Sequence, residues 1–201
     1  MPSTADRVAA HLVAVAQLLD TDPAAALEQA RAARSLASRI GLVREAAGLA
    51  AYAAEEWHEA LAELRAERRL TGSALHLPVM ADCQRGLGRP ERALELASSA
   101  DVRLLDPAGR VEMAIVAAGA RSDMGQPDAA LVTLDAVGLD RTSPKAWSPR
   151  LWYAYAEALL TTGRRDEAKA WFEAITDIDE GETDAEERLL ELEHPPLPPS
   201  T

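Results

Sequence analysis

The sequence predicts an all-α fold in which about five helical hairpins stack into a solenoid that ends in a C-terminal capping helix. Two observations support this prediction. Three similar heptapeptides recur about every 37 residues: GRPERAL at 88–94, GQPDAAL at 125–131 and GRRDEAK at 163–169. The chain is also rich in alanine and leucine and only 4% aromatic, which favours helices over strands.

Two weaker copies, DPAAAL at 22–27 and EWHEAL at 56–61, extend the array toward the N-terminus. All five copies share an alanine and have a small residue twelve positions before it, so a pair of antiparallel helices can approach closely there. The shared alanines are Ala26, Ala60, Ala93, Ala130 and Ala168, and the earlier small residues are Ala14, Gly48, Ala81, Ala118 and Ala156. One turn after the shared alanine, on the same helical face, stand Ala30, Leu64, Ala97, Leu134 and Phe172.

The last copy carries a family resemblance. It reads Trp152-x2-Tyr155-Ala156-x2-Leu159 and then Ala168-x3-Phe172, which resembles the tetratricopeptide repeat pattern. Copies three and four keep the small sites and the glycine between the helices but lack the tryptophan and the phenylalanine. The resemblance implies a right-handed helical-hairpin solenoid that binds proteins without catalysis. With its arginine-rich and alanine-rich composition, the chain is similar to short tetratricopeptide proteins of actinobacteria.

Turn and cap signals divide one predicted domain, residues 1–193, into repeats. Pro90 and Pro127 are expected in the first turn of second helices, where proline is tolerated. Gly41 and Gly72 are expected to end helices. The predicted repeats span 7–40, 41–73, 74–110, 111–148 and 149–182, followed by a cap helix at 183–193 and a disordered proline-rich tail at 194–201.

The C-terminal part should close the array. Residues 140–149 are expected to form a long connector before the last repeat. Thr183 and Glu186 have the spacing of a capping box for a final helix. Leu189, Leu190 and Leu192 are expected to cover the exposed face of the last repeat, because terminal repeats need a solvated outer surface.

Charge and cysteine content limit the partners. The formal net charge of −12 argues against nucleic acid, and no stretch is long enough to predict a membrane span. Without a basic leader in the first residues and with a single cysteine, the chain is expected in the cytoplasm. The expected partner is a protein or peptide.

No constellation of residues predicts catalysis, a cofactor or a metal. Cys83 has no nearby histidine in sequence and is interpreted as a structural thiol. The four histidines lack metal-ligand spacing. Asp177, Asp179 and Gly181 faintly resemble a calcium loop, but Arg188 stands where a bidentate glutamate is needed, so a solvated acidic connector is the preferred interpretation.

The repeat register predicts which residues face a partner, because first helices line the concave side of such arrays. The expected partner-binding residues are Glu45, Leu49, Asp82, Arg85, Glu112, Asp123, Arg150, Tyr153 and Glu157. Acidic side chains outnumber basic ones among them, which favours a basic or mixed basic and apolar segment. The alternative is that these charges only solvate the surface.

Aromatic residues concentrate in the last repeat. Trp152, Tyr155 and Phe172 fall on core sites of the pattern. Trp147 and Trp171 do not, so they are candidate aromatic hot spots for binding. The competing interpretation is that they pack under the cap helix or against the connector.

Two classes of function follow. The first is a non-catalytic interaction module that binds a protein segment in an acidic concave groove, as an adaptor or regulator. The second is a structural protein that acts through self-association as a homodimer, by an uncapped end or by the face that carries Trp171.

Overall fold

The computed structural model describes residues 2–179, 181 and 183–193. Within these residues the chain forms eleven α-helices and one 3-10 helix, with no strand. The helices are α1 Thr4–Leu18, α2 Pro23–Ala37, α3 Gly41–Ala53, α4 Trp57–Thr71, α5 Leu77–Gly86, α6 Pro90–Ala97, α7 Pro107–Asp123, α8 Pro127–Asp135, α9 Ser148–Thr161, α10 Arg165–Thr176 and α11 Ala185–Glu193, and the 3-10 helix is Ala100–Leu104. The tail predicted at 194–201 lies outside the described residues.

The helices group into two compact units, Met1–Leu105 and Asp106–Thr201. In the first unit α1 packs on α2, α3 on α4 and α5 on α6, and successive pairs join through α2 with α3 and α4 with α5. In the second unit α7 packs on α8 and α9 on α10, α8 contacts α9, and α11 packs on α10. This packing of chain neighbours confirms the predicted fold class of a helical-hairpin solenoid. The extent of the domain, 1–193, stays a prediction.

Small residues bring the paired helices together, as the repeat register predicts. The five shared alanines are all fully buried, at 0% exposure. A Cβ atom added to Gly48 in α3 would lie 2.6 Å from Cδ2 of Leu64 in α4, so this helix contact has no room for a side chain. Phe172 is fully buried beside Ala168, whereas Ala14 and Ala97 are half-buried.

The helix boundaries confirm most cap predictions. Pro90 and Pro127 are the first residues of α6 and α8. Gly72 ends α4 with a left-handed backbone (φ 74°), which glycine adopts without steric penalty. The prediction for Gly41 is wrong, because this residue begins α3. Its smallness serves packing, since an added Cβ would lie 2.6 Å from Cγ2 of Thr71 in α4.

The core of the second unit is built around the last helical hairpin. Trp152 and Phe172 are its largest fully buried side chains. Helix α11 adds Ala185, 1% exposed, together with the half-buried Leu189 and Leu192. The cap helix therefore covers the core as expected, but the prediction for Leu190 is wrong, because that side chain is 54% exposed on the far side of the helix.

The start of α11 differs from the predicted capping box. The helix begins at Ala185, and the amide of Arg188 donates to the carbonyl oxygen of Asp184, so Asp184 caps the first turn. The Thr183 hydroxyl instead donates to Asp179 Oδ2 at 2.5 Å. Thr183 therefore closes the preceding turn, one residue before the cap position.

Ion pairs tie α2, α3 and α4 together in the first unit. Arg31 and Arg34 of α2 donate to Glu59 of α4, and the hydrogen bond from Arg31 lowers the pKa of Glu59. Glu63, only 5% exposed, accepts from Arg34 and from Arg44 of α3, each at 2.6 Å. Because a buried carboxylate is tolerated only when it is paired, this bridge fixes the three helices relative to one another.

Candidate functional site

In the first unit, the predicted partner-binding residues of α3 and α5 lie on one surface. Glu45, Leu49 and Tyr52 follow one face of α3 at helical spacing. The Tyr52 hydroxyl donates to Asp82 Oδ2 of α5 at 2.6 Å, and Glu45 Oε1 lies 2.8 Å from Nε2 of His76, the residue before α5. These six residues are half-buried and form what is named here the α3–α5 surface: Glu45, Leu49, Tyr52, His76, Asp82 and Arg85.

Arg85 completes the charge pattern of the α3–α5 surface. Its Nη1 atom lies 2.9 Å from Asp82 Oδ1, one turn away on the same helix. The Asp82 carboxylate is thus held by a hydroxyl from α3 and a guanidinium from α5, while its side chain stays 25% exposed. A carboxylate held in this way can accept one more donor from a partner with little loss of side-chain entropy.

The second unit contains the corresponding α7–α9–α11 surface, defined by Glu112, Arg150, Tyr153, Glu157 and Arg188. Arg150 Nη2 of α9 lies 2.8 Å from Glu112 Oε2 of α7. Arg188 of α11 binds both carboxylate oxygens of Glu157 on α9, at 2.8 and 3.1 Å. Asp123, the ninth predicted residue, is the exposed last residue of α7.

Tyr153 lies at the centre of this second surface. Its ring packs edge-on against Phe172, with the ring centroids 5.5 Å apart. Burial, and then a hydrogen bond to the Asp184 carboxylate, raise the pKa of the Tyr153 hydroxyl. Tyr153 is therefore a neutral donor at physiological pH.

Pairing reduces the negative charge that the sequence suggested for these surfaces. Three of the predicted carboxylates, Asp82, Glu112 and Glu157, each have an arginine partner. The sequence prediction counted these charges one by one and missed the pairing. A usable signal was the spacing, since Glu112 and Arg150 stand 38 residues apart, about one repeat.

The two candidate hot-spot tryptophans are half-buried and packed against the core of the second unit. The Trp171 ring lies 5.7 Å from that of Trp152 and 5.3 Å from that of Tyr155. The Arg141 guanidinium of the segment before α9 stands 4.6 Å from the Trp171 ring centroid, a cation–π contact. This geometry agrees with packing against the connector, and a role of Trp147 and Trp171 in binding stays a prediction.

Cys83 and His11, whose residue types could supply a nucleophile or a metal ligand, make structural contacts instead. Cys83 is fully buried in α5, and burial raises the pKa of its thiol to about 12, so it is protonated at neutral pH. His11 Nδ1 lies 2.8 Å from Gln29 Oε1. In the described part of the chain, no three His, Cys, Asp or Glu side chains are grouped as metal ligands.

Comparison with known proteins gives one family match. Residues 123–187 match the tetratricopeptide repeat family, over α8, α9, α10 and the ends of the flanking helices. Repeats of this family generally mediate protein–protein interaction without catalysis. No curated protein matches the chain. None of the helices in the described ranges has the length and apolar character needed to cross a bilayer.

Proposed function

We propose that this chain is a non-catalytic interaction module that binds a peptide or protein segment on the faces of its first helices. The tetratricopeptide match over residues 123–187 supports this class of function. The observation that carries the proposal for the first unit is the α3–α5 surface, where charged pairs flank the half-buried Leu49 and Tyr52. Apolar and aromatic groups inside a polar rim are the usual composition of a protein-binding patch.

The proposed partner is a basic or mixed basic and apolar segment. Glu45 and Asp82 present carboxylates at opposite ends of the surface, and Leu49 lies between them on α3. A lysine or arginine of the partner would join Asp82 beside Arg85, and an apolar side chain would pack on Leu49. Complementary potential favours this sign and penalises acidic segments.

A peptide array tests the proposal. The labelled protein is applied to immobilised 12-residue peptides that vary in net charge and in leucine content, at two salt concentrations. We expect the retained peptides to be basic and to contain apolar residues, and binding to weaken with salt. The double variant Glu45→Gln with Asp82→Asn should lose at least about tenfold in affinity for those peptides, because two charged contacts are removed.

A matched control separates the surface from the total charge. The variant Asp20→Asn with Glu91→Gln removes the same charge from two exposed acidic residues outside the α3–α5 surface. It should bind like the wild type. Equal losses in both variants would show that only the net charge attracts basic peptides, and unchanged binding in the first variant would contradict the proposed surface.

A second candidate function, homodimer formation, is favoured by one separate observation. Four exposed apolar side chains lie where α3 begins and α4 ends: Ile40, Leu42, Leu70 and Leu75. Two copies of the chain could cover such patches against each other. Light scattering over a hundredfold range of protein concentration tests for this dimer, since a constant mass of 21.5 kDa would exclude it.

A further inference from the structure

A pocket lies in the first unit, where α4, α5 and α6 meet. Its volume is about 440 Å³, and it is lined by Arg65, Gln84, Arg89, Arg92, Glu95 and Leu96. Gln84 and Asp82 are two residues apart on α5 and so point about 200° apart around the helix. The pocket therefore lies on the opposite side of α5 from Asp82, and it is independent of the proposed function of the α3–α5 surface.

The pocket is locally basic, although the chain as a whole is strongly acidic. Arg92 Nη1 lies 2.7 Å from Glu95 Oε2, so these two charges offset each other. Arg65 and Arg89 are exposed, and no carboxylate within the described ranges forms a salt bridge with either of them. Two guanidinium groups without counter-charges therefore remain at the pocket.

Gln84 supplies an independent sign of a ligand. It is 5% exposed, and its Oε1 atom is buried without a hydrogen-bond partner in the part of the chain that the structure describes. Buried polar atoms are nearly always satisfied in folded proteins, so such an exception requires an explanation. Gln84 is also tied to the basic side of the pocket, because the Arg89 amide donates to its backbone carbonyl at 2.9 Å.

The geometry points to an acidic peptide segment as the ligand of this pocket. Side-chain carboxylates of the segment would pair with Arg65 and Arg89, whose planar guanidinium groups suit carboxylate geometry. A backbone N–H of the segment would donate to Gln84 Oε1, which the segment reaches only after the side chains that line the pocket shift, and an apolar side chain would contact Leu96. A nucleic acid fits less well, because a chain with a net charge of −12 repels a long polyanion.

Fluorescence anisotropy with defined peptides tests this assignment. The probe is the labelled, amidated peptide GELEDLG, whose carboxylates are all on side chains, and the neutral comparison is GQLQNLG. We expect the acidic peptide to bind at least about tenfold tighter, with an affinity that falls as salt is added. Equal affinity for both peptides would overturn the assignment.

A double variant and a matched control locate the contact. Arg65→Gln with Arg89→Gln should weaken GELEDLG binding at least about tenfold. Arg7→Gln with Arg39→Gln removes the same charge from exposed arginines elsewhere in the first unit and should leave the affinity within about twofold. Equal weakening in both double variants would show that the peptide senses total charge, which overturns the site.

The Gln84→Met variant distinguishes a role of Gln84 in binding from a purely structural role. Methionine keeps the unbranched shape and removes the unsatisfied oxygen, so Tm should stay the same or rise by up to about 4 °C. Binding of GELEDLG should nevertheless weaken about fivefold or more, because the N–H of the peptide loses its acceptor. Wild-type affinity in this variant would overturn the role of Gln84.

Two further ligands separate the peptide from other anions. Inorganic phosphate at millimolar concentration should not displace GELEDLG, and single-stranded oligothymidylate should bind no tighter than the neutral peptide. Displacement by phosphate would mean a simple anion site, and tight binding of the oligonucleotide would mean a nucleic-acid site. Either result overturns the peptide assignment.

Discussion

Replacing Gly48 by alanine has two effects of opposite sign on the free energy of unfolding. Gly48 lies inside α3, where replacement by alanine would favour the helix by about 1 kcal/mol through intrinsic propensity. The new Cβ, however, would lie 2.6 Å from both Cγ and Cδ2 of the fully buried Leu64 and 3.3 Å from its backbone nitrogen. Overpacking of this kind costs about 1–3 kcal/mol.

We expect the steric effect to exceed the propensity gain. The contact includes the backbone of α4, so Leu64 cannot relieve it by rotating its side chain alone. Gly48→Ala should therefore lower the free energy of unfolding by about 1 kcal/mol, which urea denaturation followed by circular dichroism can measure.

A double-mutant cycle isolates the cause. Leu64→Ala alone should lower the free energy of unfolding by about 2–5 kcal/mol, because it leaves a cavity in a close-packed contact. In that background the two 2.6 Å clashes with the Leu64 side chain disappear and only the 3.3 Å approach to its backbone nitrogen remains, so Gly48→Ala should become neutral or stabilising through its helix propensity. If Gly48→Ala destabilises both backgrounds equally, the contact with Leu64 is not the reason for the glycine.

Three further predictions concern single side chains. Glu63→Gln should lower the free energy of unfolding by about 2 kcal/mol in urea denaturation, because Arg34 and Arg44 lose a shared, buried carboxylate; an unchanged midpoint would mean that the bridge is energetically neutral. Trp171→Ala should cost about 2 kcal/mol by the same assay, since its ring contacts Trp152 and Tyr155; lost binding at unchanged stability would instead make it a binding residue. The Cys83 thiol, with its pKa of about 12, should react with Ellman's reagent at pH 8 only as fast as the protein unfolds, and stability should fall as pH rises above the ordinary thiol pKa because the unfolded chain then loses the proton first. Rapid labelling of the folded protein would contradict its burial.

The sequence predicts the all-helical fold and the positions of its closest helix contacts. The repeat places Ala60, Ala93 and Ala130 at equivalent positions, and each is fully buried in the structure. Such predictions succeed because side-chain spacing along a helix is set by local geometry and does not depend on distant parts of the chain. The same local logic located the prolines that begin α6 and α8.

Contacts between residues of different helices could not be predicted from this spacing. Gly41 was expected to end a helix, but it begins α3, where its contact with Thr71 of α4 leaves no room for a side chain. The prediction that Leu190 covers the core failed since the rotation of α11 is decided by Ala185, Leu189 and Leu192. Both outcomes depend on contacts between residues far apart in sequence.

The same distinction between local spacing and helix packing applies to the candidate sites. The repeat register alone places Glu45, Asp82 and Glu157 on first helices, because helical spacing fixes the face on which each side chain lies. The packing of the helices is what pairs Arg188 with Glu157 and leaves the Gln84 oxygen, among the described residues, without a hydrogen-bond partner beside Arg65 and Arg89. The physical reason is that pairing of charges and burial of polar atoms depend on which helices pack together, whereas periodicity specifies one helix at a time.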